Sequence, residues 1–233
     1  FAALHTRAKG GTEIRIIERT AKGWDKPYML PIPETMTVEI SANYEWETTG
    51  IDVVAESLIQ PQTWLNWDVK DKELTTLKTL EVPGYDPAAY VEYREWAEAE
   101  DGVKIPLTIA HRADLDRAGD NPGFIYGYGS YEICDDPYFT PMRLPLLDRG
   151  VVYVVAHIRG GGEMGRQWYE DGRLLKKKNT FSDFVAASRH LIDTGLVDGE
   201  RLAAEGRSAG GLLMGAVTNL APELYRVLSL IHI

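Results

Sequence analysis

One stretch of this chain could carry out covalent chemistry: Glu205-Gly206-Arg207-Ser208-Ala209-Gly210-Gly211, which contains Gly-x-Ser-x-Gly centred on Ser208. A serine hydroxyl is a weak nucleophile. It becomes useful when a sharp strand-to-helix turn lifts it clear of the sheet and a donor waits for the oxyanion. The flanking glycines suit such a turn, because side chains at Gly206 or Gly210 would meet the neighbouring strand and helix. The backbone N–H of Ala209 would then point to where negative charge develops. The chemistry indicated is acyl transfer, and the competing reading is a glycine-rich turn with an idle serine.

The elements needed to hold that turn are legible on both sides of it. Arg201-Leu202-Ala203-Ala204 reads as a short strand, and Leu212, Leu213, Ala216, Val217 and Leu220 recur at helical spacing. Further upstream, Gly123–Tyr128 is a short apolar strand. Val151–Ile158 is a continuous apolar run, as expected of a strand buried on both faces. A helix is expected from Thr180, capped by Asp183, with Phe181, Phe184, Val185, Leu191 and Ile192 on one stripe and Gly195 at its end. Alternating strands and helices predict an α/β domain with a mainly parallel sheet.

Before Pro122 the pattern differs. Lys9-Gly10-Gly11 separates strand candidates Ala2–Arg7 and Thr12–Glu18. Thr35–Ile40, Ile51–Glu56, Thr63–Val69 and Glu73–Leu80 follow, a spacing that suits a sandwich, a barrel or propeller blades. Val82-Pro83-Gly84-Tyr85-Asp86-Pro87 reads as a linker. The domain expectation is therefore residues 1–82 and residues 83–233. Within the second, Asp101-Gly102 is the strongest hairpin signal, between Tyr90–Glu98 and Val103–His111.

Composition narrows the function classes. The 233 residues are 44% hydrophobic and carry a net charge of −10, which argues against a nucleic-acid or anionic-membrane binder. No apolar run approaches the length of a membrane span. The single cysteine, Cys134, rules out an internal disulfide and fits a reducing, cytoplasmic setting. Phe1-Ala2-Ala3-Leu4-His5 has no signal-peptide layout and reads as the middle of something longer.

Arg159-Gly160-Gly161-Gly162-Glu163-Met164-Gly165 formally contains the dinucleotide fingerprint Gly-x-Gly-x-x-Gly. That use needs a helix straight after the glycines and an acid closing a second strand. Asp183, at about the right distance, is expected in a helical first turn instead, so a glycine loop near the active site is the better reading. Lys176-Lys177-Lys178 reads as a solvated loop and Trp168 and Tyr169 as core. Asp135-Asp136 could hold a cation or a basic side chain, or form a solvated turn before Pro137. No cofactor or metal is expected. Beyond Ser208 the chain offers only Glu223 and His232 as an acid and a histidine, too close to the serine for a triad of this topology. His5, His111, His157 and His190 precede it and read as core or surface residues.

Several longer motifs occur in order: Tyr126-Gly127-Tyr128-Gly129-Ser130-Tyr131, Leu147-Asp148-Arg149-Gly150, His157 through Glu163, Trp168 through Gly172, Lys176 through Phe181 and Gly206 through Gly211. From about Gly84 to Arg226 the chain resembles the prolyl oligopeptidase family of serine peptidases, and within it the oligopeptidase B branch. The resemblance implies an α/β-hydrolase domain, cut short at its C-terminal end, preceded by the last part of a β-propeller. It implies cleavage of short peptides after Arg or Lys, Ser208 as nucleophile, and an oxyanion hole made by Ala209 N–H and the Tyr128 hydroxyl. It also implies substrate-binding roles for Tyr131 and Asp136. Tyr138 stands where this branch has a second acid.

The family's catalytic Asp and His lie downstream of the serine and have no counterpart here. A fragment inactive and poorly soluble by itself is therefore expected. Its Val227–Ile233 tail does not resemble the strand that should follow. An esterase, an acylaminoacyl peptidase and a non-catalytic homologue are the alternative readings.

Overall fold

The computed structural model describes residues 1–117 and 120–231. The chain divides into two compact units, Phe1–Tyr85 with Asp136–Thr140, and Asp86–Asp135 with Pro141–Ile233. The return of Asp136–Thr140 to the first unit is not signalled by the sequence. Phe139 is the anchor: its ring centroid lies 5.3 Å from that of Tyr85, and its N–H donates to Glu56 Oε2 at 2.9 Å.

The first unit is all-β. β1 (Ala2–Ala8) and β2 (Gly11–Ile17) form a hairpin across Lys9-Gly10. β3 (Arg19–Thr20) and β4 (Gly23–Trp24) make a two-residue ladder, and β5 (Tyr28–Met29) adds to β2. β6 (Thr37–Ile40), β7 (Gly50–Glu56), β8 (Thr63–Asp68) and β9 (Glu73–Thr79) form a four-stranded antiparallel meander. Burial alternates along β7 and β8, the signature of strands with one face in a core. That core gathers Ile14, Ile16, Val38, Val53, Ala55, Leu65 and Trp67.

The second unit is built on a six-stranded mixed sheet in the order β10-β11-β13-β12-β14-β15. β10 (Tyr90–Glu98) and β11 (Lys104–Arg112) pair antiparallel across the Asp101-Gly102 turn, and β11 runs antiparallel to β13 (Val152–Ala156). β12 (Gly123–Tyr126), β13, β14 (Leu202–Arg207) and β15 (Val227–Ile231) are mutually parallel. The short helices α1 (Leu144–Leu147) and α2 (Arg166–Glu170) lie in connections. The longer α3 (Lys178–Asp193) and α4 (Ala209–Leu220) touch each other and pack on the sheet. No helix among the described residues is long and apolar enough to cross a membrane.

β12 sits between β13 and β14, although β13 follows it in the chain and β14 follows that. The connections from β12 and β13 therefore leave the sheet in opposite directions, which opens a crevice at the carboxyl ends of the parallel strands. The loops after β12, β13 and β14 meet there.

Three expectations are corrected here. The helix starts at Lys178, not Thr180, and Asp183 does not cap it: a buried guanidinium claims that carboxylate instead. On α4 the buried face is Gly210, Gly211, Leu213, Met214 and Val217, while Leu212 and Leu220 are exposed. The two glycines let the helix approach the sheet, so the inward face falls on them rather than on the largest side chains. Finally, Val227–Ile231 does form the strand that follows, parallel to β14 from Ala203↔Val227 to Arg207↔Ile231. His232 and Ile233 lie outside the described residues.

Candidate active site

Ser208 is the hinge between β14 and α4. Its φ and ψ are 54° and −118°, a conformation that costs a non-glycine residue on the order of 1–3 kcal/mol. The surroundings enforce it. Ser208 N–H donates to Ile231 O at 2.9 Å, and Ser208 O accepts from Gly211 N–H at 2.8 Å. A β-carbon on Gly206 would stand 2.3 Å from Gly210 O, and one on Gly210 would stand 2.9 Å from Gly127 O. Strand end, helix start and the β12 loop are thus packed backbone on backbone, and Ser208 is left exposed above them. The N–H of Ala209 belongs to the first turn of α4, where donors lack an intrahelical acceptor and the helix dipole favours negative charge.

Tyr128 leaves the end of β12 beside this turn. Its Cα and ring Cδ2 lie 3.6 and 3.7 Å from where a Gly210 β-carbon would be. The loop that follows is strained in series: Gly129, Tyr131 and Glu132 have φ of 61°, 59° and 60°. Tyr131 is 72% exposed and, with Ser130, Gly160, Arg173, Lys177, Ala209 and Leu212, lines a cavity of about 300 Å³. Two of the four residues carried over for this unit, Ala209 and Tyr131, therefore share one cavity, and the other two flank Gly210.

Asp136 belongs to the first unit, where Arg7 holds its carboxylate with both terminal nitrogens, Nη1 to Oδ1 at 2.7 Å. Tyr138 is exposed.

The glycine loop after β13 is a packing device. A β-carbon on Gly160, whose φ is 103°, would stand 2.1 Å from Gly129 O. One on Gly172 would stand 2.1 Å from Gly160 N, so three loops stack at backbone distance beside the cavity. A one-turn helix, α2, does follow the glycines, contrary to the sequence reading. Gly160 and Gly162 are closed off by the backbone of Gly129 and Glu132 and Gly161 by the Glu163 side chain, while Gly165 faces open space, so the glycines do not together form a phosphate cradle.

Sequence reasoning missed two groups. The first is Arg159, 4% exposed, which grips Asp183 through Nε and Nη2 and reaches Asp101 with Nη1 at 2.6 Å. The Asp183 and Asp101 carboxylates raise the guanidinium's pKa, while burial pushes that of Asp183 up against the pull of Arg159. The second is Lys177. The three lysines do not form one solvated run: Lys176 pairs with Asp171 at 2.6 Å and Lys178 is exposed. Lys177 turns inward, donating to Gly129 O at 2.5 Å and Ser130 Oγ at 2.7 Å. Burial lowers its pKa from 10.5 to about 8. Trp168 is buried, and Tyr169, which lines the cavity, has the guanidiniums of Arg166 and Arg173 4.9 and 5.1 Å from its ring centroid.

The histidines take structural positions. His157 is fully buried with Nε2 2.8 Å from Thr108 Oγ1, His111 Nδ1 lies 2.7 Å from Arg112 O, and His190 pairs with Glu95 at 3.2 Å. His5 is exposed on β1, and Glu223 pairs with Arg189 at 3.4 Å.

Residues 137–230 match the model of the prolyl oligopeptidase family. The chain is 43% identical to the dipeptidyl aminopeptidase BI of Pseudoxanthomonas mexicana over 229 residues, 98% of this chain and 31% of that protein. It is 40% identical to the protease 2 of Moraxella lacunata, over 95% of this chain and 32% of that protein. Among solved structures, oligopeptidase B from Trypanosoma brucei with covalently bound antipain superposes with a TM-score of 0.87 at 38% identity. That match covers 99% of this chain and 34% of that one. Oligopeptidase B from Leishmania major gives 0.86 at 40% identity, covering 98% and 33%. The chain spans about a third of the length of these relatives. The fold is the family's, propeller strands followed by an α/β-hydrolase sheet. The family model also extends through Leu230, past the point where the sequence reading placed the end of the resemblance. Its sequence motifs, its fold and its serine turn all agree with the prolyl oligopeptidase family, whose model matches residues 137–230.

Proposed function

We propose that the complete gene product carrying this chain is a serine oligopeptidase that cleaves short peptides after Arg or Lys. Ser208 attacks the scissile carbonyl, and a histidine from outside these 233 residues takes its proton. The N–H of Ala209 and the hydroxyl of Tyr128 stabilise the tetrahedral oxyanion. The acyl-enzyme on Ser208 is then hydrolysed by water. The 233-residue chain alone, without that base, is inactive. The lone Cys134 supports a reducing, cytoplasmic setting.

One observation carries this reading. Ser208 is the strained, exposed residue of a strand-to-helix turn that Gly206 and Gly210 close by backbone contact. An idle serine would not require that strain. The preference for Arg and Lys rests on likeness to oligopeptidase B and on the acidic net charge. It is not written into the cavity beside Ala209, whose charged lining residues, Arg173 and Lys177, are both cations.

The test is labelling by a fluorophosphonate probe, comparing the complete gene product, its Ser208→Ala variant and the 233-residue chain. Labelling of the first alone is expected. No labelling of the complete product would return the turn to a purely structural role and leave a binding module as the reading.

A further inference from the structure

The loop Gly129–Glu132 holds three left-handed residues within four positions, two of them non-glycine. Such a run relaxes unless its surroundings over-determine it. Some of the restraint is backbone. Glu132 N–H donates to Gly160 O at 3.2 Å and Ile133 N–H to Ser130 O at 3.1 Å. The restraint at the loop's start is a side chain from another element. Lys177, just before α3, reaches across the cavity wall and ties Gly129 O and Ser130 Oγ to one ammonium.

Among the described residues, no carboxylate lies within 4.0 Å of Lys177. The two flanking lysines are spent differently, one on Asp171 and one on solvent. Burying an ammonium without a counter-ion is unfavourable, and a surface lysine would avoid it. A charge-assisted hydrogen bond is about twice as strong as a neutral one. Lys177 gives two of them to adjacent residues, so the loop is fixed in position and in orientation.

We propose that Lys177 is a positioning residue for the reaction, clamping Gly129 and Ser130 so that Tyr128 on one side and Tyr131 on the other keep their places beside Ser208. This rests on the oxyanion and cleft roles proposed above. Tyr128 is one residue before the clamp and Tyr131 one residue after it, so a loosened clamp displaces both. A misplacement of about 1 Å in such a constellation costs on the order of 100-fold in rate.

The experiment compares Lys177→Met, Lys177→Arg and Ser130→Ala in the complete gene product, with Tyr128→Phe and Ser208→Ala as references. The readouts are fluorophosphonate labelling rate, kcat and KM on an arginyl peptide anilide, and thermal midpoint. Lys177→Met is expected to lower kcat and labelling rate about 10- to 100-fold with KM changed less than about threefold. Lys177→Arg should recover most of that loss, and Ser130→Ala should lose about two- to fivefold in the same direction. Unchanged kcat in Lys177→Met overturns the proposal. So does a loss borne by KM alone, which would make Lys177 a substrate contact. Equal losses in the Met and Arg variants that track a fall in thermal midpoint would also overturn it, because the role would then be structural. If Lys177→Met does not fold, Ser130→Ala decides, and wild-type kcat there sinks the idea. If the wild-type protein itself fails to label, the functional reading has failed rather than the clamp.

Discussion

Arg159 and Asp183 meet inside the second unit as a bidentate pair, Nε to Oδ2 at 2.8 Å and Nη2 to Oδ1 at 2.5 Å. The backbone N–H of Arg159 adds a third bond to Oδ2 at 3.0 Å. The pair ties the loop after β13 to the second turn of α3. Thr180, one turn earlier, reinforces the same junction with its hydroxyl 2.6 Å from Arg159 O.

Removing one partner of a buried pair typically costs about 3–5 kcal/mol. Asp183→Ala leaves Arg159 with the half-exposed Asp101 as its remaining carboxylate, so the second unit is expected to be destabilised by up to about that amount. The double variant Arg159→Met/Asp183→Ala should cost clearly less than the two single changes added together, since the orphaned charge is gone. Urea denaturation of the four proteins measures this, and simple additivity would show that the pair is not coupled.

The serine turn makes a sharper demand. Gly206→Ala places a β-carbon 2.3 Å from Gly210 O, a backbone atom that cannot rotate away. Strand end and helix start must separate, at a cost of about 1–3 kcal/mol. Because Ser208 sits between them, fluorophosphonate labelling should fall by more than tenfold, well beyond what the stability loss alone predicts. Gly215→Ala, further along the same helix and facing open space, is the control and should label normally.

Much of this was legible in the residues. Ser208, its flanking glycines, the strand before it and the helix after it follow from local rules that act within a dozen residues. The buried strand at Val152–Ala156 announced itself as an unbroken apolar run. What could not be read is what needs a partner far along the chain. Lys177 looks like its two neighbours until the loop 48 residues earlier is brought to it. Asp183 looks like a helix cap until Arg159 is folded against it. Leu212 and Leu220 look like core until Gly210 and Gly211 are seen to set which face of α4 turns inward. Tail residues 227–231 read as unlike the strand that should follow, because their place is set by a parallel partner, β14, which they reach only through the crossover of α4.

Asp136 tests the basic-substrate reading. Its carboxylate is already held by Arg7, with both side chains partly exposed. An exposed pair of this kind contributes about 0–1 kcal/mol to stability, so Arg7→Ala should leave the thermal midpoint almost unchanged. If Asp136 binds a basic substrate side chain, the substrate must first displace Arg7. Arg7→Ala should then lower KM for a peptide with two basic residues several-fold, with kcat unaffected. An unchanged KM removes Asp136 from the substrate site.

Lys177 predicts an unusual pH dependence of stability. Burial depresses its pKa to about 8, against an ordinary 10.5. The hydrogen bonds to Gly129 O and Ser130 Oγ pull the other way by favouring the ammonium. Between about pH 8 and 10.5 the unfolded chain therefore binds more protons at this residue than the folded one. Stability contributed by this group rises with pH across that window and is lost as pH falls through about 8. The other ionisable groups lining the cavity are Tyr131, Tyr169 and Arg173. Tyr90 and Tyr93, pushed up to about 12 by burial, lower stability only at the top of the range and do so equally in a Lys177 variant. The difference in unfolding free energy between wild type and Lys177→Met should therefore change by about 1–3 kcal/mol between pH 7.5 and 10, in favour of the wild type as pH rises. Chemical denaturation of the complete gene product at four pH values measures it. A flat difference would mean that the Lys177 ammonium is as well accommodated in the fold as in water, and that the clamp holds Gly129 and Ser130 at no cost in desolvation.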